Sequence, residues 1–461
     1  MKHRSTLAKY ITSNFFNVGI NLFFQVMSLP LLMNHWGLLL YKDWLILTSV
    51  IGFLSIIDFG LVSYTSNLVV FNHSLKKYKL NNILYTNLFI FIFLAFISVY
   101  IIFLLSNHFF NHNLSSFFDI MSPSTFFLSF TVLFLATLFN TLNSLLSIVY
   151  RVNYNFVRSL NFDNFSRIFE IILFVSSVLL NFEFITVIIL YSVPKLFVFI
   201  FKIIDLRKLN YIQKLPFSYS PYILSQSLKS SVSFSYMSIT NFNYLNLIPI
   251  IIGSKFAAYE LVQFTTIRTF INFLKVVLNV IGNSIWPFFT YILSNNDKKS
   301  ITKYHFLIVN IAFFSTLFFS IIILLFGENI YNLWSNKTIS FNFMIVLAMI
   351  ISAILFNLWS SSSIVLASSN NQNVFATSYL FLSVFNVLLI TILVRFKSSI
   401  ELVSYTFIFV DIIMLFVVTS SVIKYLKLGI YFYIIHMFST TLIISELRKI
   451  FKSGLIKIRN S

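Results

Sequence analysis

Two cations sit where lipid would ordinarily exclude them. Arg268 and Lys275 lie within FTTIRTFINFLKVVLNVIGNSIWPFF, a run apolar enough to occupy a bilayer. They are seven residues apart and so share one face of a helix, on which Thr265, Asn272, Asn279 and Asn283 also fall at steps of three and four. A cation at the centre of a membrane helix costs on the order of 2.5–3.5 kcal/mol by insertion scales, and is therefore turned toward protein or a water-filled path. The chemistry open to such a stripe is attraction of an anion. The competing role is structural, pairing with carboxylates to lock a bundle of helices.

Further ionisable residues fall in apolar runs. Asp58 lies in LSIIDFGLVSY, and Asp411 lies in the middle of a late run. Both have the chemistry of a coupling or gating group; for Asp58 a structural pair or a helix cap beside Gly60 is the alternative. Glu170 is read as interfacial. Lys195 follows Pro194 mid-run, where it either joins the cationic lining or neutralises Asp411. His108 and His112 are four apart, but no Glu lies between them and no metal site is expected. The chain has no Cys, which excludes thiolate chemistry and disulfides. It also lacks GxxxxGK[ST], GxGxxG and GxSxG, so neither a nucleotide cofactor nor hydrolytic catalysis is indicated. No cofactor is expected, and the chain reads as a non-enzyme.

The elements that must hold these residues follow from composition. Of 461 residues 58% are hydrophobic and 10% charged, with 59 Phe, against the roughly 25% charge of a soluble protein. The class is all-α, a polytopic membrane bundle. Twelve spans of about 20 residues are placed at roughly 11–33, 44–69, 83–105, 124–149, 164–181, 185–204, 229–252, 259–292, 305–326, 341–366, 375–394 and 402–423. They divide into a lobe at 1–204, a cytoplasmic linker at 205–228, a second lobe at 229–428 and a basic segment at 429–461. The net charge of +19 would suit nucleic acid in a soluble chain; here the positive-inside rule accounts for it, and no nucleic-acid partner is expected. With these spans, 24 of the 32 Lys and Arg fall on one side, five on the other and three within spans, which puts both termini in the cytoplasm. The segment 430–447 reads either as a thirteenth span or, in keeping with its basic flank, as an amphipathic helix on the inner leaflet, in contact with membrane lipid. On this topology Arg268 is about nine residues from the outer end of its span, roughly 14 Å deep at about 1.5 Å per residue.

Polar stripes suggest what the spans line. The first span places Asn14, Asn17, Asn21, Gln25 and Ser28 on one face, which suits either a hydrated cavity or interhelical hydrogen bonds. A weak internal match joins Pro30, Tyr41 and Asp43 to Pro249, Tyr259 and Glu260, as in two parallel halves of six spans around a central cavity.

Several runs, in order, carry a family likeness: the Asn17 face leading to Pro30, GLLLYKDW, DFGL from Asp58, YELVQFTTIRTF, NSIWPFF, and WSSSSIVLASSNNQNVFA. On these the chain resembles the Wzx-type flippases of O-antigen and capsule repeat units, a branch of the multidrug, oligosaccharidyl-lipid and polysaccharide exporter superfamily. The resemblance implies two six-helix lobes in the manner of the MATE exporters, working by ion-coupled alternating access. The cargo it implies is an undecaprenyl-pyrophosphate-linked oligosaccharide, moved from the cytoplasmic to the periplasmic leaflet of a bacterial inner membrane. It further implies a polysaccharide polymerase and a chain-length regulator as partners in lipopolysaccharide or capsule synthesis. Arg268, Lys275 and Lys195 would offset the desolvation of the pyrophosphate, while Asn14, Asn17, Asn21, Gln25, Asn272 and Asn279 would line the cavity. The basic tail is a departure with no transport role.

Two other readings compete. A multidrug exporter of the same superfamily would favour acids in its cavity, against the cationic stripe. An O-antigen polymerase-type enzyme would carry a large outer loop, whereas the longest outer loop here runs only from about Ser106 to Ser124.

Overall fold

The computed structural model describes residues 2–52, 62, 118, 120–153, 155–210, 235–294, 298–369, 371, 373–396 and 398–439. Asp58 with its DFGL run, the predicted third span, His108 and His112, and the tail beyond 439 lie outside the described residues, as do the side chains of Asn14, Asn279 and Asn283.

Among the described residues every regular element is a helix. That follows from the solvent. Lipid offers nothing to bond a backbone N–H or C=O, so each apolar run satisfies its own groups by coiling. The elements are α1 (Lys2–Gly52), α2 (Pro123–Val152), α3 (Phe156–Leu179) and α4 (Phe184–Lys208). Then come α5 (235–253), α6 (Ala258–Ser294), α7 (Lys298–Trp334) and α8 (Phe343–Ser368). Last are α9 (Asn373–Arg395), α10 (Ile400–Leu426) and α11 (Ile430–Met437). Seven stretches among the described residues are long and apolar enough to cross a bilayer. The chain is a multi-pass membrane protein of the all-α class predicted from composition.

α1 carries the first predicted span and the start of the second. The two meet at Gly37, where φ is 70° and ψ 179°, a conformation essentially restricted to glycine. Gly37 therefore sets the bend between the two arms. In α5 the turn Asn243–Leu247 is π-helical, a local widening that often marks a site under functional or packing constraint. Here packing supplies a reason. A Cβ on Gly52 of α1 would fall 2.3 Å from the Asn246 side chain.

The described residues form two compact units. One comprises Met1–Thr265, Trp334–Ile339 and Ile390–Lys397; the other comprises Thr266–Leu333, Ser340–Leu389 and Ser398–Ser461. In the first, α2, α3 and α4 pack together and α1 lies along α3. Its centre is aromatic: Trp36, Trp44, Phe174, Phe184 and Tyr191 meet mostly edge to face. Asp43, from GLLLYKDW, is fully buried and accepts the backbone N–H groups of Ile120 and Met121 at 3.0 and 2.9 Å. It thus pins the chain just ahead of α2. Glu260, its counterpart in the weak internal match, accepts the N–H of Ala257 at 2.8 Å and closes the start of α6. Both acids of that match bind backbone.

In the second unit α8 and α10 run against each other along their length, and α8 is buried on most sides, as its nearly uninterrupted apolar sequence requires. α7 turns Phe318, Leu324, Leu325 and Phe326 outward, the exposure expected of a lipid-facing surface. α11 holds eight residues and spans only about 12 Å, too short to cross a bilayer. It lays Tyr433 and Met437 against the unit: the Tyr433 hydroxyl lies 3.1 Å from His305 Nε2 and donates to Ser362 at 3.2 Å. Asn310 then donates to the carbonyl of Ser439 at 2.7 Å. The described part of the C-terminal segment is therefore a short docked helix, apolar on its outer side at Ile430, Tyr431 and Ile435.

Candidate functional site

In the second unit, α6 presents Lys275, α8 presents Ser352, Phe356 and Trp359, and α10 presents Asp411. Lys275 Nζ donates to Ser352 Oγ at 3.2 Å and lies 4.7 Å above the Phe356 ring. The Ser352 hydroxyl in turn donates to Asp411 Oδ2 at 2.6 Å, and Trp359 Nε1 donates to Asp411 Oδ1 at 3.0 Å. The order ammonium, hydroxyl, carboxylate, indole thus crosses three helices. The spacing Ser352, Phe356, Trp359 is one helical face at steps of four and three. Asn357 fixes the same contact, donating to the carbonyl of Leu274 at 3.1 Å and to Thr316 at 2.8 Å. Arg268 and Asn272 are half-buried on α6.

Asp411 is held by Ser352 and Trp359, and Lys275 is the cation joined to it through the hydroxyl. Lys275, whose own helix carries its one acid, Glu260, fifteen residues away at the start of α6, meets a carboxylate from α10 at one remove.

The first unit holds a second cluster, around Tyr191 of α4. Lys195, near the middle of α4, has its ammonium 4.8 Å above the Tyr191 ring. It makes no hydrogen bond or ion pair through its side chain among the described residues. Tyr191 in turn accepts from Arg167 of α3 at 3.0 Å. Arg167 pairs with Glu170 at 2.8 Å, donates Nε to Asn21 of α1 at 2.8 Å, and sits 4.8 Å over Phe24. Asn17 donates to Asn164 at 2.6 Å, and Ser13 to Asn161 at 3.0 Å. The polar face of the first span is thus engaged with α3 at Ser13, Asn17 and Asn21; the half-buried Gln25 side chain makes no hydrogen bond among the described residues, while its carbonyl accepts from Ser28 Oγ at 3.2 Å. Beside this seam, Phe16, Gly19, Ile20, Phe23, Ile168 and Ile171 line an apolar groove of about 570 Å³.

Arg167 escaped the sequence reading, which counted it with a cytoplasmic loop, and Glu170 was placed at the interface. On α3, which begins at Phe156, the two pair with each other, and Glu170 is 4% exposed. The available signal was their i,i+3 spacing on a helix. Toward the same ends of α2, α3 and α4, Lys202 is fully buried and paired with Asp163 at 2.6 Å, and Arg158 grips Asp205 at 2.6 Å. These ion pairs explain part of the basic count as structure. Among the described residues no cluster of His, Cys, Asp and Glu could hold a metal ion.

No family model and no curated protein sequence matches the chain. Solved structures do. The inward closed conformation of the lipid II flippase MurJ is 15% identical, with a TM-score of 0.66 over 89% of this chain and 86% of that one. An outward-facing MATE-family multidrug resistance transporter of the MOP superfamily is 13% identical, with a TM-score of 0.62 over 92% and 95%. A MOP-superfamily transporter from Pyrococcus furiosus, described as having a binding pocket of reverse polarity that suggests a different function, is 13% identical, with a TM-score of 0.59 over 92% and 95%.

Proposed function

We propose that this membrane protein, with the fold of the MOP-superfamily transporters, is a flippase for an undecaprenyl-pyrophosphate-linked oligosaccharide. It carries the repeat unit from the cytoplasmic to the periplasmic leaflet of a bacterial inner membrane by ion-coupled alternating access between two six-helix lobes, with both termini in the cytoplasm. A polysaccharide polymerase and a chain-length regulator are its partners. No bond is made or broken; the task is to carry a charged headgroup through lipid.

The observation that carries the reading is Lys195. Its backbone lies about 16 Å into α4 at about 1.5 Å per residue, and its ammonium is stacked on Tyr191 and matched by no carboxylate among the described residues. A lone cation at that depth costs the protein free energy and suits an anionic cargo that supplies the missing charge. Arg268 and Lys275 extend the same chemistry to α6, Arg as a two-pronged donor and Lys as a point charge. The fold likeness to a lipid II flippase supports a lipid-linked cargo.

The test is complementation of a strain whose own copy is deleted. Lys195→Ala and Arg268→Ala should each reduce surface polysaccharide severely and leave lipid-linked repeat units accumulated, with membrane levels of the protein normal. Arg268→Lys should retain part of the activity if charge alone matters. Unimpaired surface polysaccharide in both alanine variants refutes the cationic-path reading.

A further inference from the structure

The link between Lys275 and Asp411 has an unusual form. No direct ion pair joins them among the described residues; the Ser352 hydroxyl stands between, 3.2 Å from the ammonium and 2.6 Å from the carboxylate. Asp411, 5% exposed, has two donors of its own, Ser352 and Trp359, neither of which depends on Lys275. Lys275, half-buried, gives one of its three N–H groups to Ser352 and rests on the Phe356 ring. The carboxylate is fully held without the lysine, while the lysine has donors to give. Arg268 of α6 acts on Lys275 with like charge, and Tyr379 of α9, edge-on to Trp359 at 4.9 Å, is the further titratable group close enough to act on Asp411.

We infer that Asp411 is a resident counter-anion for Lys275, held by Ser352 and Trp359 so that a phosphate-type anion can take over the ammonium without stranding the carboxylate. The inference rests on the reading that Lys275 meets an anionic lipid headgroup. In the empty protein, Asp411 compensates Lys275 through the hydroxyl and keeps a bare cation out of the membrane. When cargo arrives, its pyrophosphate contacts Lys275 directly and wins over a carboxylate one hydroxyl away. When cargo leaves, Asp411 resumes its place, which favours release. Asp411 is thus a positioning residue that sets how tightly headgroup is held.

The experiment measures binding of farnesyl pyrophosphate to the purified full chain in micelles, with inorganic pyrophosphate as a second arm. Asp411→Asn keeps the shape and one of the two acceptor contacts but removes the charge, and should bind farnesyl pyrophosphate roughly tenfold tighter, the effect of one anion removed at a separation of two hydrogen bonds. Ser352→Ala, which takes out the bridge and one of the two donors to Asp411, should shift affinity the same way. In the flipping assay both should lower KM and kcat together. The gain should vanish when Lys275→Gln is added. Unchanged or weaker binding by Asp411→Asn and Ser352→Ala, or a gain that survives Lys275→Gln, overturns the inference. If the unaltered chain still transfers repeat units in cells while those affinities stay flat, only the counter-anion role fails; if it transfers none, the flippase reading itself fails.

Discussion

Replacing Glu170 by Gln tests whether the α1–α3–α4 seam is an electrostatic scaffold for Tyr191 and Lys195. Glu170 is 4% exposed; its Oε2 accepts from Arg167 at 2.8 Å and its Oε1 from Ser166 at 3.1 Å. Breaking a buried pair by removing one partner costs on the order of 3–5 kcal/mol. Two features reduce that here. The Arg167 side chain is 21% exposed, and it keeps its bonds to Asn21 and Tyr191. The expected loss is therefore about 2 kcal/mol, with the uncompensated guanidinium drawn more strongly to Asn21 and Tyr191. Titration with SDS in mixed micelles, followed by tryptophan emission, measures it; Trp36 and Trp44 both pack on Phe174 and report on this unit. A double-mutant cycle with Arg167→Met should return a coupling of about 1–3 kcal/mol. Transport should change as well, because a guanidinium drawn more strongly to Tyr191 shifts the ring that lies under Lys195. A loss below about 0.5 kcal/mol, the range of an ordinary surface change, or strict additivity with Arg167→Met, would refute the scaffold.

Two further perturbations follow from other contacts. Asp43→Ala removes the acceptor of two backbone N–H groups at Ile120 and Met121 in a fully buried setting, and should destabilise by about 2–4 kcal/mol, read by the same titration; Asp43→Asn, which keeps one acceptor, should recover part of it. Tyr433→Phe deletes the hydroxyl shared by His305 and Ser362, and should cost about 1–2 kcal/mol and speed proteolysis after α10; an unchanged cleavage rate would mean that α11 is held by its rings alone.

The helices were legible because their cause is local. Long apolar runs can only coil in lipid, and the described helices overlap the predicted spans from α2 through α10, with α3 (Phe156–Leu179) starting earlier and α7 (Lys298–Trp334) running past both predicted ends. Gly37 was not singled out, because a bend that needs φ of 70° looks like any glycine between two spans. The site was legible only in part. Arg268, Lys275, Lys195 and Asp411 announce themselves as charges in apolar surroundings. Trp359 and Ser352 do not, since an indole and a hydroxyl are ordinary in a membrane helix. The Arg167–Glu170 pair was not anticipated, because its further partners, Asn21 and Tyr191, come from other helices.

The sequence by itself determined the class, the approximate spans and which residues carry unusual electrostatic cost, since each depends on composition along a short stretch. Only the tertiary structure decided who answers whom. Lys275 and Asp411 are 136 positions apart and meet through Ser352, while Lys195 has Tyr191 beneath it and no acid within reach among the described residues. Pairing in lipid is a contest among all charges that the fold brings close, and helix packing, which no local pattern encodes, settles it. Two cations that look alike in the sequence thus part company: one is joined to a carboxylate through a hydroxyl, and the other rests on a tyrosine ring.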